Sequence, residues 1–409
     1  MPIIHSLLDT DFYKFTMGHW VFKHYPNMPV RYAFTNRTAR VRLADSIAEA
    51  DLRRELDHVR TLRVNTSEID YLRGITAYGD GFFSTDYFPF LTTLQLPPYT
   101  LERLDGTYRL EFAGPWCETI YWETLALSII NELYYQALLK PLSPLARDAV
   151  TATGTLRLAE KVNTLRARPD IRFSDFGTRR RFSRDWQAYV VRTLSQELPG
   201  QCLGTSNIAL AMQYGLRPIG TLAHEIFMVM AGFMSATDDS LRASHNRVLH
   251  EWWDEYSLGL SIALTDTYGS AFFFRDMTAA QARAWKGLRQ DSGDPIAFGE
   301  RAITFYEQHG VDSRDKLLVF SDGLDLGMIV TLADHFAGRI QVTFGWGTNL
   351  TNDLGFEALS LVVKVVEAHG QRTVKLSDNL AKATGTAQDI ERYKRVFGHE
   401  VTTFDACRY

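Results

Sequence analysis

Beyond Asp170 the chain repeats one texture: a short apolar run ends in a cluster of Gly, Asp or Thr and gives way to helical spacing. Seven such junctions stand in succession: IRFSDFGTRR, CLGTSNIAL, RPIGTLAHE, SIALTDTYGS, GLRQDSGDP, LLVFSDGLD and QVTFGWGTN. Strands without polar alternation are buried on both faces. Together with amphipathic segments such as 295–309 they predict a parallel sheet covered by helices. So many in a row favour a closed α/β barrel over an open doubly wound sheet, and either architecture gathers the polar strand ends on one rim.

The first third reads differently. Residues 10–24 carry Phe12, Phe15, Trp20 and Phe22 at broadly helical spacing behind Asp9 and Thr10 as caps, and 30–35 alternates as a strand. Two alternating runs, 99–104 and 108–112, flank Asp105-Gly106 and predict a hairpin. Two long helices follow within 118–168, broken where Pro141 and Pro144 interrupt the pattern. After Leu359, LSLVVKVVEAHG and QRTVKLSD predict a strand pair returning to the first unit. Residues 1–125, completed by 355–409, are therefore expected to form a smaller α+β domain, and 126–354 the barrel.

Length and charge narrow the function. A chain of 409 residues supports about two domains. With 44 basic and 48 acidic residues it has no field to hold nucleic acid or an anionic membrane. No run approaches the ~18 apolar residues of a membrane span, and the start lacks a basic region followed by an apolar one. Cys117, Cys202 and Cys407 are too scattered for a disulfide framework or a metal site. A soluble, cytoplasmic protein is expected.

The strand ends carry Arg179 to Arg181, Thr205 to Asn207, His224-Glu225, Asp266, Arg289, Asp291-Ser292-Gly293, Asp322-Gly323 and Gly345 to Asn349. Glycine-rich turns, helix N-termini and arginine forks make an anion cradle, and the carboxylates suit magnesium. Competing motifs fail. Leu350 stands where a dinucleotide fingerprint needs its third glycine, Met228 where a zinc-protease helix needs its second histidine, and Asp322 to Asp325 lacks calcium-loop spacing. An aldolase needs a Schiff-base lysine, for which Lys286 is the sole candidate at these junctions.

Taken in order, SDFGTRRRFS, GTSNIAL, GTLAHE, TDTYGS, GLRQDSGDP, FSDGLD and FGWGTNL resemble the consecutive motifs of the nicotinate phosphoribosyltransferase family, and DTDFYKFTM resembles its N-terminal signature. The resemblance implies an irregular α/β barrel with a smaller α+β domain. It also implies a homodimer with shared active sites, using nicotinate, phosphoribosyl pyrophosphate and ATP. Phe176 would stack on one face of nicotinate and Tyr13, from the other subunit, on the opposite face. Arg179 and Arg289 would meet the nicotinate carboxylate and the pyrophosphate. Asp291, Ser292, Asp322, Gly323, Gly345 and Gly347 would hold ribose, phosphate and magnesium, the metal falling to Asp291 and Asp322.

The resemblance further assigns His224 as a phosphohistidine formed from ATP. Asp266 is the expected orienter of its second ring nitrogen and Glu225 the rival. An aspartate near the ribose, Asp291 or Asp322, offsets charge developing on the sugar. Nicotinamide-using relatives carry an aspartate at the position of Ser206, beside Thr205; a serine there donates to a carboxylate substrate and favours nicotinate. A non-catalytic pyridine-nucleotide sensor would be expected to lose His224, Asp291 or the arginines, and none is lost.

Overall fold

The computed structural model describes residues 2–77 and 79–405. Cys407 lies outside them; Cys117 and Cys202 are free thiols. Thirteen strands are present among the described residues: β1 (Pro29–Asn36), β2 (Thr76–Ala77), β3 (Asp80–Gly81), β4 (Tyr99–Leu104), β5 (Thr107–Pro115), β6 (Phe173–Asp175), β7 (Cys202–Thr205), β8 (Ile262–Leu264), β9 (Gly287–Gln290), β10 (Leu317–Phe320), β11 (Gln341–Trp346), β12 (Leu361–Ala368) and β13 (Gln371–Arg372). They build an antiparallel sheet ordered β13-β12-β1-β5-β4, a parallel sheet ordered β7-β6-β11-β10-β9-β8, and the small hairpin β2-β3.

Six of the seven predicted junctions close a parallel strand. The seventh does not. Pro218 has no N–H to give a ladder, so the segment before His224 touches β7 through a single parallel bridge to Thr205. Ile219 N donates to Thr205 O at 2.9 Å, and Thr205 N donates to Arg217 O at 3.2 Å. The wall is thus an irregular α/β barrel. Among the described residues no strand ladder joins that seventh segment to β8.

In the antiparallel sheet Gly106, at φ 70°, turns the β4–β5 hairpin as its Asp-Gly pair requires. β12 pairs with β1 along Val30 to Asn36, which brings the late part of the chain back to the first sheet. The two long helices are Trp122–Leu139 and Pro144–Arg166, capped between them by Ser143 Oγ. Every residue from Trp122 to Tyr135 is buried, the polar Glu123, Thr124, Ser128, Asn131 and Glu132 included. No helix among the described residues is long and apolar enough to cross a membrane.

The first helix, Phe12–His24, forms where the helical spacing predicts it, and every residue from Phe12 to Val21 is buried, the polar Lys14, Thr16 and His19 included. Its N-cap is Asp11, not Asp9 or Thr10, and the Asp11 side chain does not cap it. His19 Nε2 accepts from Ser84 N at 3.1 Å, so its hydrogen sits on Nδ1, 2.8 Å from the Tyr256 hydroxyl. Burial pushes this imidazole down to about 4. The unfolded chain therefore takes up the proton first, and stability is lost as pH falls from about 6.5 towards 4, by about 2 kcal/mol at pH 5. Urea unfolding at pH 7 and pH 5 should show a loss about 2 kcal/mol smaller in His19→Gln than in the wild type, the remainder coming from other buried groups such as His224; equal losses would place the acid sensitivity elsewhere.

Candidate active site

The carboxyl ends of the parallel strands face a cavity that the antiparallel sheet covers. Phe176 and Arg179 enter it after β6, Ser206 after β7, His224 from the seventh segment, Arg289 and Asp291 from β9, Asp322 and Gly323 after β10, and Gly347 after β11. Lys364 of β12, with Lys375 and Lys382 beyond β13, completes the wall from the opposite side. This is the rim on which α/β folds collect ligands.

The N-terminal segment is bolted to the barrel. Arg181, fully buried, grips both oxygens of Asp9 at 2.6 and 2.8 Å, and Asn207 Nδ2 donates to Asp9 at 2.7 Å. Phe12 N donates to Ser206 O at 2.7 Å. Gly220 makes room: a Cβ there would lie 2.9 Å from Tyr13 N. Tyr13, expected from the other subunit, consequently lines the same cavity as Phe176 within one chain. Its hydroxyl is buried without a hydrogen-bond partner, and the Arg179 guanidinium lies 5.9 Å from its ring centre.

His224 begins the helix His224–Phe233. Its Nε2 lies 2.9 Å from Asp291 Oδ2 and 3.7 Å from Asp266 Oδ1, while Nδ1 lies 3.0 Å from Thr267 Oγ1. Asp266 thus shares a nitrogen with Asp291, and Thr267 holds the second nitrogen that Asp266 was assigned. Glu225 points away, accepting from Tyr32 Oη at 2.5 Å and Trp116 Nε1 at 2.7 Å, with Lys14 Nζ at 2.5 Å. Burial, reinforced by the Lys375 ammonium, pushes the imidazole down to about 4. Burial opposes the Asp291 carboxylate, but the His224 hydrogen bond, Lys382 and Arg289 outweigh it and keep its pKa well below the usual value. With an ionised Asp291 and a neutral ring, Nε2 carries the hydrogen and Nδ1 accepts from Thr267.

Several expected ligand residues stand behind the wall. Thr205 Oγ1 donates to Asp175 at 2.7 Å. Ser292 Oγ donates to Asp266 Oδ2 at 2.5 Å and so orients that carboxylate. Gly345 lies beneath Phe176: a Cβ there would meet the ring at 2.4 Å. Thr205, Asp266, Ser292 and Gly345 do not line the cavity.

The sequence reading missed Asp11 and Arg37 as lining groups, and left open whether Lys364, Lys375 and Lys382 reach a phosphate or cover the surface; all five line the cavity. Of these, Lys364 is the one that interrupts a continuous apolar strand, LVVKVVEA. The arginine at 289 is the clearest invitation to a ligand, since its Nε is buried without a partner.

The nicotinate phosphoribosyltransferase family model matches residues 171–401, and the model of that family's N-terminal domain matches residues 8–131. The chain belongs to the nicotinate phosphoribosyltransferase family. A crystal structure of nicotinate phosphoribosyltransferase from Vibrio cholerae is 32% identical, with TM-score 0.85, covering 98% of this chain and 94% of that one. One from Porphyromonas gingivalis is 30% identical, with TM-score 0.85, covering 97% and 100%.

Two family expectations meet resistance in the geometry. Ser206 Oγ donates its single hydrogen to Asp11 Oδ1 at 2.6 Å, so it has none left for a substrate carboxylate. Burial raises the Asp11 pKa, and Arg179 and Ser206 pull it back only in part. Asp322, expected beside a magnesium ion, instead takes Lys382 Nζ at 2.5 Å. The potential ligand atoms that do converge are those of His224, Asp266 and Asp291, all within 4.8 Å of one another. Asp266 Oδ1 among them is buried without a hydrogen-bond partner. An orphaned carboxylate oxygen beside a second carboxylate fits a hard divalent cation, which prefers oxygen.

Proposed function

We propose that this enzyme joins nicotinate to the ribosyl C1 of phosphoribosyl pyrophosphate and releases pyrophosphate, in pyridine nucleotide synthesis in the cytoplasm. The observation that carries the reading is the cavity's composition: two aromatic side chains, Tyr13 and Phe176, share it with Arg179, Arg289, Lys364, Lys375 and Lys382. A flat heterocycle suits the rings, and a multiply charged phosphate ester suits the cations. Loss of pyrophosphate leaves positive charge on the sugar and negative charge on the departing group. Asp291 offsets the first, and the arginine and lysine groups the second. Nicotinate brings its own ring nitrogen as nucleophile, so no strong base is required.

Asp266 and Asp291 are the residues suited to magnesium, which when bound would neutralise charge on the pyrophosphate. His224 is the candidate phosphate acceptor from ATP. A neutral imidazole supports that role, because attack on the terminal phosphorus needs a nitrogen lone pair. In this tautomer that lone pair is on Nδ1, so phosphorylation at Nε2 requires its proton to pass to Asp291 Oδ2, 2.9 Å away, as the bond to phosphorus forms and ADP departs. Association into a homodimer belongs to the same reading.

The test is pyrophosphate release from nicotinate, nicotinamide and quinolinate, each with and without ATP. Nicotinate alone should respond strongly. A preference for nicotinamide would reassign the pocket to the amide and make Asp11 its acceptor. His224→Ala should keep basal transfer and lose the stimulation by ATP; stimulation undiminished in that variant removes the phosphohistidine step.

A further inference from the structure

Glu123 lies behind the cavity wall and does not line it. Its side chain is 3% exposed and contacts three cations. Oε2 meets Lys14 Nζ at 2.6 Å, while Oε1 meets Lys364 Nζ at 3.1 Å and Arg179 Nη1 at 3.6 Å. Lys14 is itself clamped from behind by Glu225. One oxygen therefore faces the core and the other faces two cavity-lining cations.

We propose that Glu123 is a positioning residue for anion binding: Oε1 holds the Lys364 ammonium and the Arg179 guanidinium together at the cavity wall as one paired grip. The inference rests on the transferase reading, which gives the grip its anionic substrates. Two like charges at a buried wall repel each other; Arg179 Nε also meets Asp11 Oδ2 at 3.5 Å, but Glu123 is the carboxylate that the two cations share.

Burial lowers the Lys364 pKa to about 8, with Arg179 and Lys375 pressing in the same direction and Glu123 opposing them. The remaining neighbours of β12 do not take over that duty. The helix packed behind it offers Glu225, already bound to Lys14, Tyr32 and Trp116, and β1 places Ala33 opposite Lys364. Without Glu123, Lys364 would be neutral at lower pH and the grip would lose one of its two charges.

The test is calorimetric titration of the full-length protein with sulfate, whose charge is constant across the range, from pH 6.5 to 9.5. The wild type should lose affinity as pH rises through about 8. Glu123→Gln should bind about tenfold more weakly at pH 7.5, with its alkaline loss moved about one pH unit lower, and Glu123→Asp should recover part of both. Unchanged affinity and profile in Glu123→Gln overturns the proposal. So does tighter binding, which would make Glu123 a merely repelling charge.

Should Glu123→Gln not fold, Lys364→Met decides. Weak, pH-independent binding supports the grip, and a retained loss near pH 8 overturns it. A wild type that binds sulfate with this profile but turns over no nicotinate would sink the transferase reading and leave the grip standing.

Discussion

Replacing Arg181 with Met should destabilise the protein by about 3–5 kcal/mol, the usual consequence of leaving one partner of a buried ion pair alone. Asp9 is 2% exposed, and burial alone would raise its pKa. Arg181, through charge and two hydrogen bonds, outweighs burial and holds it below the ordinary value. Remove the guanidinium and Asn207 Nδ2 remains, with Arg184 Nε at 3.7 Å. That is too little to keep a carboxylate charged in the core.

The loss should not be confined to stability. Asp9 precedes Asp11 and Tyr13 by two and four positions, so its anchorage sets where both enter the cavity. Urea unfolding of Arg181→Met, Asp9→Asn and the double variant checks the argument. The double variant should be more stable than Arg181→Met alone, since it buries no orphaned charge. Purely additive losses would mean that the pair does not act as a unit.

The strand-end chemistry was legible in the sequence because it is local. A run such as LLVFSDGLD carries its strand, its turn and its polar end within nine residues, and the fold only has to repeat that pattern around one rim. His224 and Asp291 came together for that reason. Choices that depend on one residue of register were not legible. Asp266 and Thr267 are adjacent, and the backbone after β8 turns the threonine, not the aspartate, to Nδ1 of His224.

Contacts between the two sheets were also hidden. Lys364 looks like a lone lysine in a β-branched strand, and only the pairing of β12 with β1 carries it to the barrel rim. Lys14 sits among aromatic residues in DFYKF, and nothing local announces its carboxylate partners on two distant helices. Pro218 is the opposite case: its missing N–H, visible from the start, is why the seventh junction forms a bridge in place of a strand.

Gly345→Ala should reduce kcat/KM for nicotinate by about 30- to 100-fold, about 2–3 kcal/mol, through a residue that never meets the substrate. Gly345 pairs with Ser174 in the β11–β6 ladder, and the Phe176 ring lies across it. A methyl group there would stand 2.4 Å from Cδ2 and Cε2 of that ring, a distance no packed pair tolerates. Gly345 does not have a positive φ, so alanine adds no backbone strain and the clash is the whole effect.

Phe176 N is held by Trp346 O at 2.8 Å, so the backbone stays and the ring must swing away. The heterocycle then loses a stacking face, while the cations that meet the phosphoribosyl donor are untouched. KM for nicotinate should rise with little change in KM for the donor. In a Phe176→Ala background the same substitution should have no further effect on nicotinate, because the ring it displaces is already gone. An undiminished loss in that background would place Gly345 in direct contact with substrate after all.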